Sequence, residues 1–165
     1  MADDNSLLSL ASDLVSTFAA AGKTVATAES CTGGWIAKAI TDVAGSSAVF
    51  GYGVVSYADE AKASLLGVSP EALVNDGAVS ESVVRAMAEG ALHLSGADIA
   101  VAVSGVAGPD GGSPGKPVGL VWFSWAVRNG DVVRTDARSE QLAGDRDRVR
   151  EQTVNLALAG LQELA

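Results

Sequence analysis

Cysteine and histidine, the side chains that build disulfides and many metal centres, are almost missing from this chain of 165 residues. The single cysteine, Cys31, excludes an internal disulfide and a thiolate zinc site. The single histidine, His93, excludes a cluster of imidazole ligands. Zinc-dependent hydrolysis is therefore not expected, and the sequence predicts no metal site.

Basic residues and long apolar runs are also scarce. Eleven Lys and Arg stand against twenty Asp and Glu, so the formal net charge is −9. An acidic surface repels a phosphate backbone, and nucleic acid is therefore not an expected partner. The N-terminus lacks the basic segment of a signal peptide, and no apolar run approaches the ~18 residues of a membrane span. We expect a soluble cytoplasmic protein with no membrane partner.

What the chain does contain is enough for one compact domain, since 48% of its residues are hydrophobic. Short β-branched segments alternate with amphipathic helical segments. Strands are predicted over residues 24–28, 50–57, 98–104, 119–128 and 131–138. The last two are joined by Asn129-Gly130, a dipeptide typical of a tight hairpin turn. The pattern predicts a single α/β domain, a three-layer α/β/α sandwich with a mixed sheet.

In such sheets, ligands bind at the carboxyl ends of the strands, in the loops that lead from strand to helix. The candidate sites are therefore the loops after Ala28, Tyr57 and Ser104. Ser30 lies in the first of these loops, followed by Gly33 and Gly34. The glycines let the backbone approach a ligand closely and present free N–H groups, as an oxyanion hole requires. The alternative is an ordinary helix-capping serine on a glycine-rich turn.

A nucleophilic serine needs a base, and the lone His93 falls within a helical segment where a surface position is expected. Lys62 follows closely on a predicted strand end that also delivers Tyr57, so a Ser–Lys pair is the simplest hypothesis. A lysine acts as a base only when burial lowers its pKa from about 10.4 toward ~7–8. The alternative is a solvated helix lysine neutralised by Glu60 or Asp59.

Cys31 offers a competing nucleophile, with Glu29 and Lys62 as its partners. Strand alternation would direct Glu29 and Cys31 to one side and Ser30 to the other, unless the turn breaks that alternation. The simpler interpretation of Cys31 is a buried structural thiol.

Two further segments suggest substrate binding. Residues 104–119 hold six glycines and three of the four prolines, which favours a structured binding loop over a disordered surface excursion. Arg146, Arg148 and Arg150 open the last helix of an otherwise acidic protein, and guanidinium groups at a helix start suit a phosphate. The alternative is a solvated helix end, paired with Asp145, Asp147 and Glu151.

Taken together, these segments resemble one family, the C-terminal domain of the competence- and damage-inducible CinA proteins, including the stand-alone nicotinamide-nucleotide amidohydrolases. The resemblance extends in order over nearly the whole chain, and we identify residues 1–165 as a CinA C-terminal-like amidohydrolase domain. It is carried by residues 28–34 (AESCTGG), Tyr57 with Ala61-Lys62, residues 66–68 (LGV), 77–81 (GAVSE), 104–109 (SGVAGP), 116–119 (KPVG) and 144–146 (GDR).

The resemblance implies hydrolysis of the carboxamide of nicotinamide mononucleotide to nicotinate mononucleotide and ammonia, in pyridine nucleotide (NAD) recycling, without a metal or organic cofactor. It implies Ser30 as nucleophile, Lys62 as its base and Tyr57 as an assisting hydroxyl. The residues expected around the substrate are Thr32, Gly33, Gly34, Ser104, Gly105 and Arg146, with backbone N–H groups of residues 32–34 holding the oxyanion.

The family also implies a homo-oligomer. Its larger members carry an additional N-terminal nucleotide-processing domain, whose activity is not expected here. The alternative function is a non-catalytic nucleotide-sensing domain of a competence or damage response.

Overall fold

The computed structural model describes residues 4–165, which form six α-helices and five strands. A short 3-10 turn, Ser46–Ala48, precedes the second strand. The elements are α1 (Asp4–Ala21), β1 (Val25–Glu29), α2 (Trp35–Thr41), β2 (Phe50–Val55), α3 (Asp59–Leu66), α4 (Pro70–Asn75), α5 (Glu81–Ser95), β3 (Ile99–Gly105), β4 (Leu120–Asn129), β5 (Val132–Gln141) and α6 (Arg146–Gln162). None of the helices in this range combines the length and apolar character of a membrane span.

The strands form one mixed sheet in the order β2-β1-β3-β4-β5. β1 runs parallel to both β2 and β3, whereas β4 is antiparallel to β3 and to β5. The hairpin predicted at Asn129-Gly130 is present, and the mixed sheet is confirmed. β2 ends at Val55 and not at Tyr57 as predicted, because the carbonyls of Ser56 and Tyr57 turn toward the amine of Lys62.

Helices cover both faces of the sheet, which confirms the three-layer sandwich. α1, α2 and α6 pack on one face, and α3, α4 and α5 pack on the other. β3 shows why the sequence folds this way, since it is buried on both sides. Its larger residues Ile99, Val101 and Val103 face the first group of helices, and its alanines face the second. Apolar residues at every position are typical of a strand covered on both faces.

The topology brings three chain segments to one edge of the sheet. β1, β2 and β3 are mutually parallel, so the residues that follow them emerge side by side. The N–H of Ser30 donates to Val103 O at 3.1 Å, and the N–H of Ser56 donates to Glu29 O at 2.9 Å. Ser30, Ser56 and Ser104 therefore lie on adjacent strand ends.

Candidate active site

A buried Ser–Lys pair lies at this edge. The Nζ of Lys62 is 3.0 Å from the Oγ of Ser30, although 32 residues separate the two in sequence. Ser30 comes directly after β1, and Lys62 lies in the first turns of α3. Lys62 is 1% exposed and Ser30 is 9% exposed. The alternative of a solvated lysine neutralised by Glu60 or Asp59 is therefore wrong.

Two main-chain carbonyls hold the Lys62 amine against Ser30. Nζ donates to Ser56 O at 2.8 Å and to Tyr57 O at 3.0 Å. A neutral amine has two hydrogens and one lone pair, so the two carbonyls take both hydrogens and the lone pair is left facing the serine hydroxyl. A protonated amine would donate its third hydrogen to Oγ. The same three contacts therefore serve the pair before and after proton transfer.

Burial is the main influence on the charge of Lys62. Desolvation lowers the pKa of Lys62 below its usual 10.5, and the nearby carboxyl group of Asp59, with a smaller effect of Cys31, opposes that shift. A lowered pKa means that the amine loses its proton more readily than an exposed lysine would. The environment thus raises the fraction of neutral Lys62, the form that can accept a proton, above that of an exposed lysine.

Cys31 is in a poor environment for a nucleophile. Burial raises the pKa of the Cys31 thiol to about 11, helped by the charge of Glu29 and opposed by its own backbone N–H, by Arg150 and by Lys62. The thiolate, and not the thiol, is the reactive form. A thiol with this pKa remains protonated at neutral pH, in keeping with the interpretation of Cys31 as a structural thiol.

The carboxylate of Glu29 fixes the turn that carries Ser30. Oε1 accepts hydrogen bonds from the Thr32 hydroxyl at 2.7 Å and from the N–H of Ile36 at 2.8 Å. Oε2 accepts from the N–H of Ala37 at 3.0 Å. Glu29 is fully buried and satisfies the free N–H groups at the start of α2, where a negative charge is also favoured by the helix dipole. The sequence pattern predicts Glu29 only as a partner of Cys31 and does not predict this role. The signal was a carboxylate ending a strand whose neighbours are small and uncharged.

Contacts within the turn narrow the set of possible oxyanion donors. The N–H of Gly33 donates to Ser30 O at 3.1 Å, and the N–H of Trp35 donates to Thr32 O at 3.2 Å. The expectation that Gly33 offers a free N–H is therefore wrong. Within residues 4–165, the N–H groups of Thr32 and Gly34 have no acceptor. Gly33 and Gly34 both have positive φ, of 61° and 99°, a conformation that glycine adopts without strain.

The end of β3 contributes one buried hydroxyl and one glycine with a packing role. Ser104 is 1% exposed, and its Oγ has no hydrogen-bond partner among the described residues. Such a group gains stability from a ligand that supplies a donor or an acceptor. A Cβ on Gly105 would lie 2.6 Å from Val121 Cγ2 and 2.8 Å from Leu120 O. The close approach of β4 therefore accounts for glycine at position 105.

The three arginines at the start of α6 have three different surroundings. Arg146 donates to Gly108 O at 2.7 Å and to the hydroxyl of Tyr57 at 3.2 Å. Arg148 pairs with Glu151 at 2.7 Å on the surface. Arg150 donates to the carbonyls that follow Ser30. Arg146 is thus the one of the three that joins the side chain of Tyr57 to the glycine-rich loop.

Tyr57 takes part in the site through two different atoms. Its carbonyl holds Lys62, while its side chain, 60% exposed, has its hydroxyl at Arg146. The sequence had assigned only the hydroxyl, as a group assisting the Ser–Lys pair. In this conformation the Tyr57 hydroxyl accepts a hydrogen bond from Arg146, and the contact of Tyr57 with Lys62 is made by its carbonyl. Among residues 6–165, no group of three or more His, Cys, Asp or Glu is arranged to hold a metal ion.

The fold and the Ser30–Lys62 contact define a three-layer α/β domain with a buried Ser–Lys pair at the carboxyl edge of its parallel strands. The sequence model of the CinA C-terminal domain matches residues 7–165, and the chain belongs to this family.

Among curated relatives, the chain is 53% identical over 158 residues to the nicotinamide-nucleotide amidohydrolase PncC of Escherichia coli strain K12, covering 96% of this chain and 94% of that protein. It is 59% identical over 138 residues to a CinA-like protein of Akkermansia muciniphila, covering 82% of this chain and 32% of that protein.

Solved structures of the same superfamily agree with the fold. The competence damage-inducible protein A of Klebsiella pneumoniae has a TM-score of 0.90 at 43% identity, covering 95% of both chains. A CinA superfamily protein of Escherichia coli has a TM-score of 0.92 at 36% identity, covering 100% of this chain and 94% of that one.

Proposed function

We propose that this protein is a nicotinamide-nucleotide amidohydrolase, which hydrolyses the carboxamide of nicotinamide mononucleotide to nicotinate mononucleotide and ammonia in pyridine nucleotide recycling. The observation that carries the proposal is the 3.0 Å contact between Lys62 Nζ and Ser30 Oγ in a buried site. The relative in Escherichia coli, 53% identical over nearly its whole length, is named as an amidohydrolase of a nicotinamide nucleotide, and the resemblance to the family implies the mononucleotide.

The reaction starts with proton transfer inside the Ser–Lys pair. Neutral Lys62 takes the hydroxyl proton of Ser30 as Oγ attacks the carboxamide carbon, and the carbonyl oxygen becomes an oxyanion. The Lys62 ammonium then gives its proton to the departing nitrogen, which leaves as ammonia, and an ester of Ser30 remains. Water then attacks the carbonyl carbon of that ester while Lys62 takes a proton from the water. Lys62 returns this proton to Ser30 Oγ as the acid is released. General acid–base help of this kind contributes about 10²–10⁴ in rate.

The N–H groups of Thr32 and Gly34 are the proposed donors to the oxyanion. Both belong to the turn that Glu29 fixes, and neither has an acceptor within residues 4–165. Fixed donors stabilise developing charge because they need no reorganisation during the reaction, and one such donor is worth about 3–4 kcal/mol of barrier.

Arg146 is the proposed contact of the substrate phosphate. Arg146 is an exposed residue, and its guanidinium donates to Gly108 O and to the hydroxyl of Tyr57, whose carbonyl accepts a hydrogen bond from Lys62. Charge-assisted hydrogen bonds to phosphate are strong, and a cation at the site attracts an anionic substrate to an otherwise acidic protein. The unpaired hydroxyl of Ser104 is a further proposed substrate contact. Tyr57 as an assisting hydroxyl, a homo-oligomeric state and a cytoplasmic location stay predictions.

The test is ammonia release from nicotinamide mononucleotide, nicotinamide riboside and free nicotinamide, measured with purified protein. We expect turnover of the mononucleotide and much slower turnover of the two compounds without phosphate. Ser30→Ala should abolish turnover, and Cys31→Ala should retain it, because the two variants separate the competing nucleophiles. If all three compounds are inert and the mononucleotide still binds, the nucleotide-sensing function replaces this proposal.

A further inference from the structure

Arg150 reaches from α6 to the turn that carries Ser30. Its Nε donates to Cys31 O at 3.1 Å, and its Nη2 donates to Thr32 O at 3.1 Å. These are the carbonyls of the two residues directly after Ser30, and 118 or more positions separate them from Arg150 in sequence. The planar fork of a guanidinium can hold two acceptors at once in fixed directions, which a lysine cannot do.

The two carbonyls set the direction of two N–H groups. In a trans peptide the C=O and the following N–H point in opposite directions within one plane. Holding Cys31 O therefore directs the N–H of Thr32 away from α6, and holding Thr32 O does the same for the N–H of Gly33. The Gly33 N–H is used inside the turn, on Ser30 O, whereas the Thr32 N–H has no acceptor within residues 4–165.

The guanidinium itself is held in place. Its Cζ lies 5.3 Å from the centre of the Trp35 ring, and its Nη1 is 3.7 Å from the carboxylate of Asp147. The side chain is 27% exposed, so the group is partly removed from water. A cation on the carbonyl side of a peptide also polarises it, which strengthens the N–H on the other side as a donor.

We propose that Arg150 is a positioning residue of the reaction, which holds the peptide between Cys31 and Thr32 so that the Thr32 N–H donates to the developing oxyanion. This inference rests on the proposed amide hydrolysis. It separates Arg150 from Arg146, because the Nε and Nη2 of Arg150 are occupied by main-chain carbonyls and Arg146 is left to meet the phosphate.

The first test compares Arg150→Ala with Arg148→Ala, a matched loss of one arginine two positions earlier in the same helix. With nicotinamide mononucleotide, Arg150→Ala should lower kcat about 10²-fold, the usual cost of a small misplacement in a catalytic site, and leave KM within about threefold. Arg148→Ala should change neither constant by more than about twofold, since Arg148 contacts Glu151 on the surface. A kcat for Arg150→Ala within threefold of the unmodified protein overturns the proposal, as does a change confined to KM.

Rescue separates positioning from a general loss of structure. Guanidinium ion added at millimolar concentration should restore part of the kcat of Arg150→Ala and should leave Arg148→Ala unchanged. The kcat of Arg150→Lys should lie between those of Arg150→Ala and the unmodified protein, because the lysine amine can hold one of the two carbonyls at most. If Arg150→Ala does not fold, Arg150→Lys decides: an unchanged kcat overturns the proposal, and a reduced kcat at unchanged KM and unchanged melting temperature supports it.

A fluorophosphonate probe distinguishes failure of this inference from failure of the proposed function. Its phosphoryl oxygen takes the place of the oxyanion while Ser30 Oγ displaces fluoride, so labelling needs the same N–H donors but no pyridine nucleotide. If the unmodified protein is labelled on Ser30 but does not hydrolyse the mononucleotide, the proposed substrate fails while slower labelling of Arg150→Ala still supports Arg150. Equal labelling rates in the two proteins overturn the role of Arg150 even if the mononucleotide is hydrolysed.

Discussion

Replacing Glu29 by glutamine tests whether its carboxylate holds the nucleophile turn. The carboxylate accepts three hydrogen bonds in a fully buried position, two at Oε1 and one at Oε2. A glutamine keeps at most one acceptor oxygen. If that oxygen takes the Oε1 position, the amide NH₂ takes the position of Oε2 and faces the N–H of Ala37. The charge-assisted hydrogen bond from Ala37 is then lost, and two hydrogen-bond donors face each other.

The expected cost is about 1.5–3 kcal/mol of unfolding free energy, the range for a hydrogen bond to a charged group. At an m-value of roughly 2 kcal/mol per molar urea, the unfolding midpoint should fall by about 1 M. The matched control is Glu60→Gln on the exposed side of α3, which should stay within about 0.5 kcal/mol of the unmodified protein. If Glu29→Gln unfolds at the same urea concentration as Glu60→Gln, the reasoning about the turn is refuted.

Three further substitutions separate the roles at the site. Arg146→Ala should raise KM for the mononucleotide about 10–100-fold with kcat nearly unchanged, and a loss in kcat at constant KM would contradict the phosphate contact. Tyr57→Phe keeps the carbonyl that holds Lys62 and removes the hydroxyl at Arg146, so steady-state kinetics test the predicted assisting hydroxyl: a loss mainly in kcat supports that role, and a rise mainly in KM assigns the hydroxyl to substrate binding with Arg146. Gly105→Ala should lower the unfolding free energy by about 1–3 kcal/mol because its Cβ overlaps β4, and an unchanged thermal midpoint would count against this packing argument.

Most of the fold could be predicted from local patterns. β3 was recognisable as a continuous apolar run between a helix and a glycine-rich loop, and the β4–β5 hairpin carried its own turn signal at Asn129-Gly130. The end of β2 was placed two residues too late, because its termination depends on Lys62, whose amine takes the carbonyls of Ser56 and Tyr57 from another element. A tertiary contact of this kind leaves no periodic signal in the sequence.

In the site, too, some features could be predicted from local sequence and others depend on tertiary contacts. Ser30 and Lys62 could be proposed from residue type and position, and the structure brings their reactive atoms within hydrogen-bond distance. The contacts of Glu29 and Arg150 depend on where α2 and α6 pack, so nothing in their own segments revealed them. The sequence also favoured Gly33 as a donor, since a glycine-rich turn does not disclose which of its N–H groups bonds within the turn.

The most direct test of the central claim is a titration of the Lys62 amine, followed by the ¹³C shift of its Cε in lysine-labelled protein. The chain has only four lysines, and the spectrum of Lys62→Met identifies the signal that belongs to Lys62. Burial should place the pKa of this titration below the usual 10.5, and activity should fall as pH drops through it, because the protonated amine cannot take the proton of Ser30. A Lys62 signal that titrates at 10.5 or above would contradict the account.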